Sequence, residues 1–160
     1  MIHISFAAGP LHLMCIKELS AKLEKASKNN TLPKVIVPVH LSGASCDMQA
    51  IYNLSLKYGF YIIEDASHAI GGNYQNKPVG NCQFSAVTVF SFHPVKIITT
   101  GEGGIVTTNK KNIAKKIKML RSHGITKDQI DFTETQKVPW DYEQQLLGFN
   151  YRLNDIQAAL

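Results

Sequence analysis

The chain has 160 residues, enough for one domain, and its 44% hydrophobic and 18% charged residues are the balance of an ordinary globular protein. A formal net charge of +5 would suit anionic ligands such as phosphates or nucleotides, but much of the excess lies in Lys110–Lys118, which has the pattern of a solvated helix face. Basic residues are not interleaved with aromatic ones, and no apolar run approaches the ~20 residues of a membrane span, so we expect neither nucleic acid nor a membrane as a partner.

The three cysteines, Cys15, Cys46 and Cys82, are odd in number and include no Cys-x-x-Cys pair. This spacing predicts neither a disulfide framework nor a zinc site, and we expect no metal. Unpaired cysteines fit a reducing compartment, so the sequence favours the cytoplasm. The start of the chain lacks the basic segment and cleavage pattern of a signal peptide.

The first part of the chain predicts strands and helices in alternation. Met1–Phe6 has the character of a short strand, and apolar residues at helical spacing predict a helix over Leu11–Ser27. A β-branched run predicts a buried strand over Val35–Val39. Asp47 is a suitable N-cap, and Gly59 a suitable stop, for the helix between them.

Three further strands and a helix are predicted over 61–65, 85–92, 104–108 and 111–123. The polar segment 125–145 predicts irregular structure. Asn154 then has the character of an N-cap, with Gln157 as its capping-box partner. Because strands alternate with helices, we expect an α/β fold with a mainly parallel sheet.

One lysine, Lys96, lies in an apolar and glycine-rich stretch, Ser91–Gly104, between two strands that the pattern predicts to be buried. Lysine rarely enters such surroundings without a partner. An amine held there is a candidate nucleophile for a carbonyl group, with which it forms a Schiff base. An exposed loop lysine is the common alternative, so the neighbouring residues must decide.

Polar residues at three predicted strand ends argue against that alternative. Asp65 closes one strand, His40 and Gly43 follow another, and the segment from Ser91 to Lys96 follows a third. Ligands bind at this edge of a parallel sheet. With Lys96, these residues suit an aldehyde cofactor that carries a phosphate. Asp65 would pair with a protonated ring nitrogen and Ser91 would donate to phosphate, while His68 lies one helical turn after Asp65. Each also has a structural alternative, as a helix N-cap or a satisfied buried residue.

Five segments, in order, resemble the DegT/DnrJ/EryC1/StrS family of fold-type I, pyridoxal-phosphate-dependent sugar aminotransferases. They are Pro38–Gly43, Glu64–Ala69, Phe90–Lys96, Thr99–Gly104 and Gly148–Leu160. Within that family, the His-Pro-Val-Lys form together with Ile-Thr-Thr-Gly-Glu-Gly-Gly is most similar to one branch. That branch aminates C4 of a UDP-linked 4-keto-6-deoxy-N-acetylhexosamine in pseudaminic acid biosynthesis.

The resemblance implies a fold-type I large domain that binds pyridoxal 5'-phosphate. It also implies L-glutamate as amino donor, the UDP-linked keto sugar as acceptor and a homodimer in the full-length form. The implied roles are Schiff-base lysine and acid/base for Lys96, ring-nitrogen partner for Asp65, ring neighbour for His68, phosphate ligand for Ser91, and phosphate contact across the dimer interface for Asn150. Relatives with histidine in place of the lysine perform dehydration, so Lys96 favours transamination.

Family members are longer, and this sequence matches neither their amino-terminal phosphate-binding helix start nor their carboxyl-terminal small domain. We therefore expect residues 1–160 to be a partial large domain. The loss of a helix N-terminus that binds phosphate would weaken cofactor binding. Three alternatives stay open: a catalytically inactive fragment, a family aminotransferase for another sugar, and a generic nucleotide-binding α/β domain.

Overall fold

The computed structural model describes residues 12–133 and 138–160. They form two compact units, which divide between residues 109 and 110, and residues 159–160 belong to the first of them. The strand predicted over Met1–Phe6 lies outside the described residues. No helix in the described ranges is long and apolar enough to cross a membrane.

The first unit consists of two helices and a sheet. Its elements are α1 (Ile16–Lys28), β1 (Val35–Ile36), α2 (Met48–Tyr58), β2 (Tyr61–Asp65), β3 (Asn73–Tyr74), β4 (Lys77–Pro78), β5 (Val87–Ser91) and β6 (Gly104–Thr107). The main sheet has the order β1–β2–β5–β6; the first three strands run parallel, and β6 is antiparallel to β5. The α/β fold with a mainly parallel sheet is therefore confirmed. A separate hairpin of β3 and β4 was not predicted.

Helix α2 has the predicted boundaries. The Asp47 carboxylate accepts a hydrogen bond from the Ala50 amide at 3.2 Å, which satisfies one of the free amides of the first turn. Gly59 has φ +76°, a left-handed conformation that ends the helix without the steric cost of a side chain. Helix α1 instead begins at Ile16 rather than at Leu11, and its N-cap residue makes no side-chain capping bond.

The strand predicted over Val35–Val39 is shorter than expected and is not buried on both faces. Val35 and Val37 are 42% and 45% exposed, whereas Ile36 is buried between them. Pro38 has no amide to donate, so regular pairing ends before it and Val39 adds one isolated bridge to Asp65. Strands β5 and β6 agree with their predictions to within two residues.

The core of the first unit lies between the two helices and strands β1 and β2. Its buried members are Leu19, Leu23, Ile36, Cys46, Met48, Ile51, Phe60, Ile62 and Phe84. Both leucines of α1 are fully buried, and they carry the helical periodicity seen in the sequence. This packing holds the strands whose ends carry the candidate site.

The second unit contains α3 (Lys111–Leu120), β7 (Ile125–Thr126), β8 (Glu143–Gln144) and α4 (Asp155–Ala159). Helix α3 ends at Leu120, before the predicted His123. Strands β7 and β8 pair antiparallel within 125–145, which was wrongly predicted to be irregular. The capping box is confirmed, because Asn154 accepts from the Gln157 amide at 2.8 Å and Gln157 accepts from the Asn154 amide at 3.1 Å.

We expect Leu23→Ala to lower the free energy of unfolding by ~2–5 kcal/mol, because it removes buried methyl groups and leaves a cavity. Leu56→Ala is the matched control: Leu56 is also a helical leucine but is 67% exposed, and its loss should cost less than ~0.5 kcal/mol. Urea unfolding followed by circular dichroism measures both. Equal losses would contradict this description of the core.

Candidate functional site

The parallel pairing of β2 and β5 brings the ends of both strands to one edge of the sheet. Asp65, which ends β2, is paired with Val89, and Ser91 ends β5 just beyond it. His68 and Lys96 lie in the two segments that follow these strand ends. Four of the five predicted site residues therefore belong to one edge of the first unit.

Asp65 closes a turn rather than a helix. Its Oδ1 accepts from the Ser67 amide at 3.0 Å and from the Ser67 hydroxyl at 2.6 Å. No helix forms over residues 66–72, because the aspartate side chain offers the backbone a local turn instead. The N-cap alternative and the shared helical face with His68 are thus wrong. Within the described residues Oδ2 makes no hydrogen bond, so it can accept one from a ligand.

His68 is oriented by a backbone amide of the loop after β1. The Ser42 N–H donates to Nδ1 of His68 at 3.3 Å, from a residue held in the left-handed region with φ +55°. Because Nδ1 accepts, the neutral imidazole carries its proton on Nε2. The strand pattern predicts this loop at the same edge, but no local pattern in the sequence predicts the contact.

Lys96 lies in a loop whose two ends are joined at Ser91 and Gly104, which pair across β5 and β6. A Cβ on Gly104 would lie 2.6 Å from the carbonyl oxygen of Phe90, so only glycine allows this approach of the two strands. Inside the loop, the Lys96 amide donates to the His93 carbonyl at 2.9 Å. These contacts fix the backbone from which the lysine extends.

The prediction that Lys96 lies between buried strands is wrong. Ile105 and Val106 of β6 are 47% and 38% exposed, and Val95 and Ile97 beside the lysine are exposed too. Strand β6 is the last strand of the described sheet, and its side chains are not covered by another layer within the described residues. Lys96 itself is half-buried, and its Nζ has no hydrogen-bond or ion-pair partner among the described residues.

Ser91 and Asn150 have different surroundings. The Ser91 Oγ accepts from the His93 amide at 3.3 Å, which leaves its hydroxyl proton for a ligand oxygen. Asn150 belongs to the second unit, where it forms an isolated bridge with Ser122 and its Oδ1 accepts from Arg152 at 2.8 and 3.1 Å.

His40 was predicted at the polar edge, but its side chain is fully buried and paired with Glu64. His40 Nε2 lies 2.9 Å from Glu64 Oε2, and Glu64 Oε1 accepts from Thr88 at 2.9 Å and also from Ser85. We call these four residues the buried carboxylate cluster. Glu64 alternates with Asp65 along β2, so the two carboxylates point to opposite faces of the sheet.

The cluster keeps Glu64 ionised. Burial raises the pKa of Glu64, but hydrogen bonds from His40, Ser85 and Thr88 outweigh it and hold the pKa below its ordinary 4.5. Burial lowers the pKa of His40, but the hydrogen bond with the Glu64 carboxylate and its negative charge outweigh burial and raise the pKa above its ordinary 6.5. On the other side of the ring, the Cys46 amide donates to Nδ1 at 3.2 Å.

The free groups at the strand edge suit one kind of ligand. An amine without a partner can attack a carbonyl, a free carboxylate oxygen can accept from a protonated ring nitrogen, and a serine hydroxyl can donate to phosphate. Lys96, Asp65 and Ser91 supply these groups. An aldehyde-bearing pyridine phosphate therefore fits the residues present.

Comparisons with known proteins agree on one family. The sequence profile of the DegT/DnrJ/EryC1/StrS aminotransferase family matches residues 12–160. The chain is 45% identical over 144 residues to the UDP-4-amino-4,6-dideoxy-N-acetyl-beta-L-altrosamine transaminase of Campylobacter jejuni, a match that covers 90% of this chain and 35% of that protein. The chain spans about a third of the length of the curated relatives it matches.

Two solved structures share the fold. Helicobacter pylori PseC, an aminotransferase involved in the biosynthesis of pseudoaminic acid, has a TM-score of 0.82 and 34% identity, covering 98% of this chain and 38% of that one. The PMP-form of the putative sugar aminotransferase Spr1654 from Streptococcus pneumoniae has a TM-score of 0.68 and 26% identity, and the match covers 92% of this chain and 40% of that one. The first unit thus has the architecture of fold-type I aminotransferases.

We expect Glu64→Gln to lower the free energy of unfolding at pH 7 by ~1–3 kcal/mol, because it removes a charged acceptor from buried donors. Since the folded-state pKa of Glu64 is depressed, its stabilisation is present above pH 4.5 and is lost as the pH falls through the folded-state pKa. The difference between wild type and variant should therefore shrink as the pH falls below 4.5 and through the depressed folded-state pKa.

Urea unfolding of both proteins across this pH range measures the difference. Glu24→Gln is the matched control, because Glu24 is 62% exposed in its pair with Lys28 and should contribute far less at every pH. A Glu64→Gln effect that does not depend on pH would contradict an ionised carboxylate in the cluster.

Proposed function

Because the chain belongs to the DegT/DnrJ/EryC1/StrS aminotransferase family, we propose that it acts in amino transfer to a nucleotide-linked sugar. The reaction transfers the amino group of L-glutamate to C4 of a UDP-linked 4-keto-6-deoxy-N-acetylhexosamine, with pyridoxal 5'-phosphate as cofactor. The observation that carries the proposal is the placement of Lys96 and Asp65, each with a free polar group, at one strand edge. The names of the transaminase from C. jejuni and of PseC support the sugar, and the PMP-form structure supports the cofactor.

The residues of the first unit would divide the work by their chemistry. Lys96 presents its amine to a carbonyl carbon and then holds or moves a proton at Nζ. Asp65 would accept a hydrogen bond at Oδ2 and keep a ring nitrogen protonated, and His68, with its proton on Nε2, would be a neighbour of the same ring. Ser91 donates its hydroxyl to a phosphate oxygen. Pyridoxal phosphate, when bound, supplies an electron sink for the carbon that loses its proton.

The proposal includes a partner. The described units supply part of a pyridoxal-phosphate-binding large domain, and the whole protein acts as a homodimer in which Asn150 of one protomer reaches the phosphate bound by its partner. The Asn150 amide nitrogen supports this role, because the contacts with Arg152 use only its Oδ1. A cytoplasmic location stays a prediction; all three cysteines are free thiols.

Incubation with pyridoxal phosphate followed by borohydride reduction should label Lys96, as read by peptide mass spectrometry. Lys96→Arg should abolish this label and lower any glutamate-dependent amino transfer by ~10²–10⁴-fold, because the residue that moves the proton is lost. Lys77→Arg, at an exposed lysine of β4, should change neither quantity. Labelling confined to other lysines would contradict the assignment. A labelled chain without amino transfer would favour the inactive-fragment alternative.

Mixing two impaired variants tests the shared site. Lys96→Ala and Asn150→Ala homodimers should each bind little reducible cofactor. In a mixed dimer, one site combines the intact lysine of one protomer with the intact asparagine of the other, so labelling of Lys96 should recover on mixing. No recovery, with mixed dimers shown by native mass spectrometry, would contradict a contribution from the partner subunit.

A further inference from the structure

The buried carboxylate cluster is not used by the proposed chemistry, yet it is the most completely buried group of polar side chains described. His40 and Thr88 are fully buried and Glu64 is 6% exposed. Every buried side-chain nitrogen and oxygen in the described residues has a hydrogen-bond partner. A buried charge at this position has to be explained, because well-packed apolar residues of similar volume are often at least as stable as a buried ion pair.

The cluster is joined to the candidate site through the backbone of His40. Its amide donates to the Asp65 carbonyl at 2.9 Å, and the Asp65 amide donates to the Pro38 carbonyl at 2.9 Å. The end of β2 is therefore paired with the chain that leads into His40. Glu64 holds the ring of that histidine from one side, and the Cys46 amide holds it from the other at 3.2 Å.

The loop that begins at His40 also sets the orientation of His68. Ser42 donates its amide to Nδ1 of His68 at 3.3 Å, from a left-handed backbone conformation. Gly43 approaches the His68 backbone closely, since a Cβ there would lie 3.1 Å from the His68 carbonyl oxygen. A displacement of the His40 ring would thus change the position of the amide that holds the His68 ring.

We propose that Glu64 and His40 are positioning residues, which act through the loop 40–43 to fix the backbone of Asp65 and the ring orientation and tautomer of His68. The effect on cofactor binding rests on the proposed function. The contacts that orient Asp65 and His68 lie within this chain and do not depend on it. The proposed function gives neither residue a contact with the cofactor. They determine instead whether Asp65 and His68 present their free atoms in one arrangement or in several.

Two measurements test this role in the full chain. The first is the tautomer of His68, read from its ¹⁵N chemical shifts without cofactor. The second is the dissociation constant of pyridoxal phosphate, read from its absorbance. Wild type should show a single neutral tautomer with the proton on Nε2. In Glu64→Gln and His40→Ala we expect a mixture of tautomers and cofactor binding weakened by about tenfold or more, as when a residue that orients a ligand-binding side chain is lost. His40→Gln, whose amide can still donate to Glu64, should restore part of both.

Leu23→Ala is the control for loss of stability alone, because this fully buried residue belongs to the core of α1. It should leave the His68 tautomer unchanged and the dissociation constant within about twofold of wild type. The inference is overturned if Glu64→Gln keeps the wild-type tautomer and affinity, or if Leu23→Ala changes both as much. If Glu64→Gln does not fold, Thr88→Val removes one donor to the same carboxylate and takes its place.

The outcomes separate this inference from the proposed function. If wild type binds no pyridoxal phosphate, the proposed function fails, and the tautomer comparison in the cofactor-free chain still decides whether the cluster orients His68. If wild type binds the cofactor and the cluster variants behave as Leu23→Ala does, the proposed function stands and the positioning role is rejected.

Discussion

A carboxylate inside a sheet has to be surrounded by donors, and Glu64 obtains its donors from three places in the chain. His40 comes from the loop after β1, Thr88 from β5, and Ser85 from the segment that leads into β5. Glu64 and Thr88 are direct partners in the parallel register of β2 and β5. A slip of one residue would turn Thr88 to the other face of the sheet and remove its hydrogen bond to the Glu64 carboxylate. The need of this buried carboxylate for donors therefore favours the observed register of β2 and β5.

The parts of the fold that depend on neighbouring residues could be predicted from the sequence. The capping of α2 by Asp47 and the capping box of Asn154 and Gln157 are contacts over three residues, which a local pattern determines. The strand ends at Asp65 and Ser91 follow from apolar runs that stop at polar residues. Once the strands are parallel, those two residues share an edge without any further information.

The parts that depend on what covers a strand could not be predicted. Ile105 and Val106 form the same apolar run whether or not another layer packs on them, and here they are exposed. Conversely, nothing local distinguishes the buried His40 from a histidine at an open edge. One signal was available: in the alternation of β2, Glu64 lies on the same face as the buried Ile62. A glutamate there requires a partner, and a search for that partner leads to His40.

The strand pair at Ser91 and Gly104 closes the Lys96 loop, so the length of the loop has different effects on folding and on the position of the lysine. Because the ends of the loop are joined there, the entropy of closing it rises slowly with its length, by only ~0.6 kcal/mol for each doubling. An inserted residue would therefore cost the fold little, yet under the proposed function it would move the amine of Lys96 relative to Asp65. Under that proposal, folding tolerates a change in the length of this loop and amino transfer does not, so a chain can lose its chemistry here while keeping its structure.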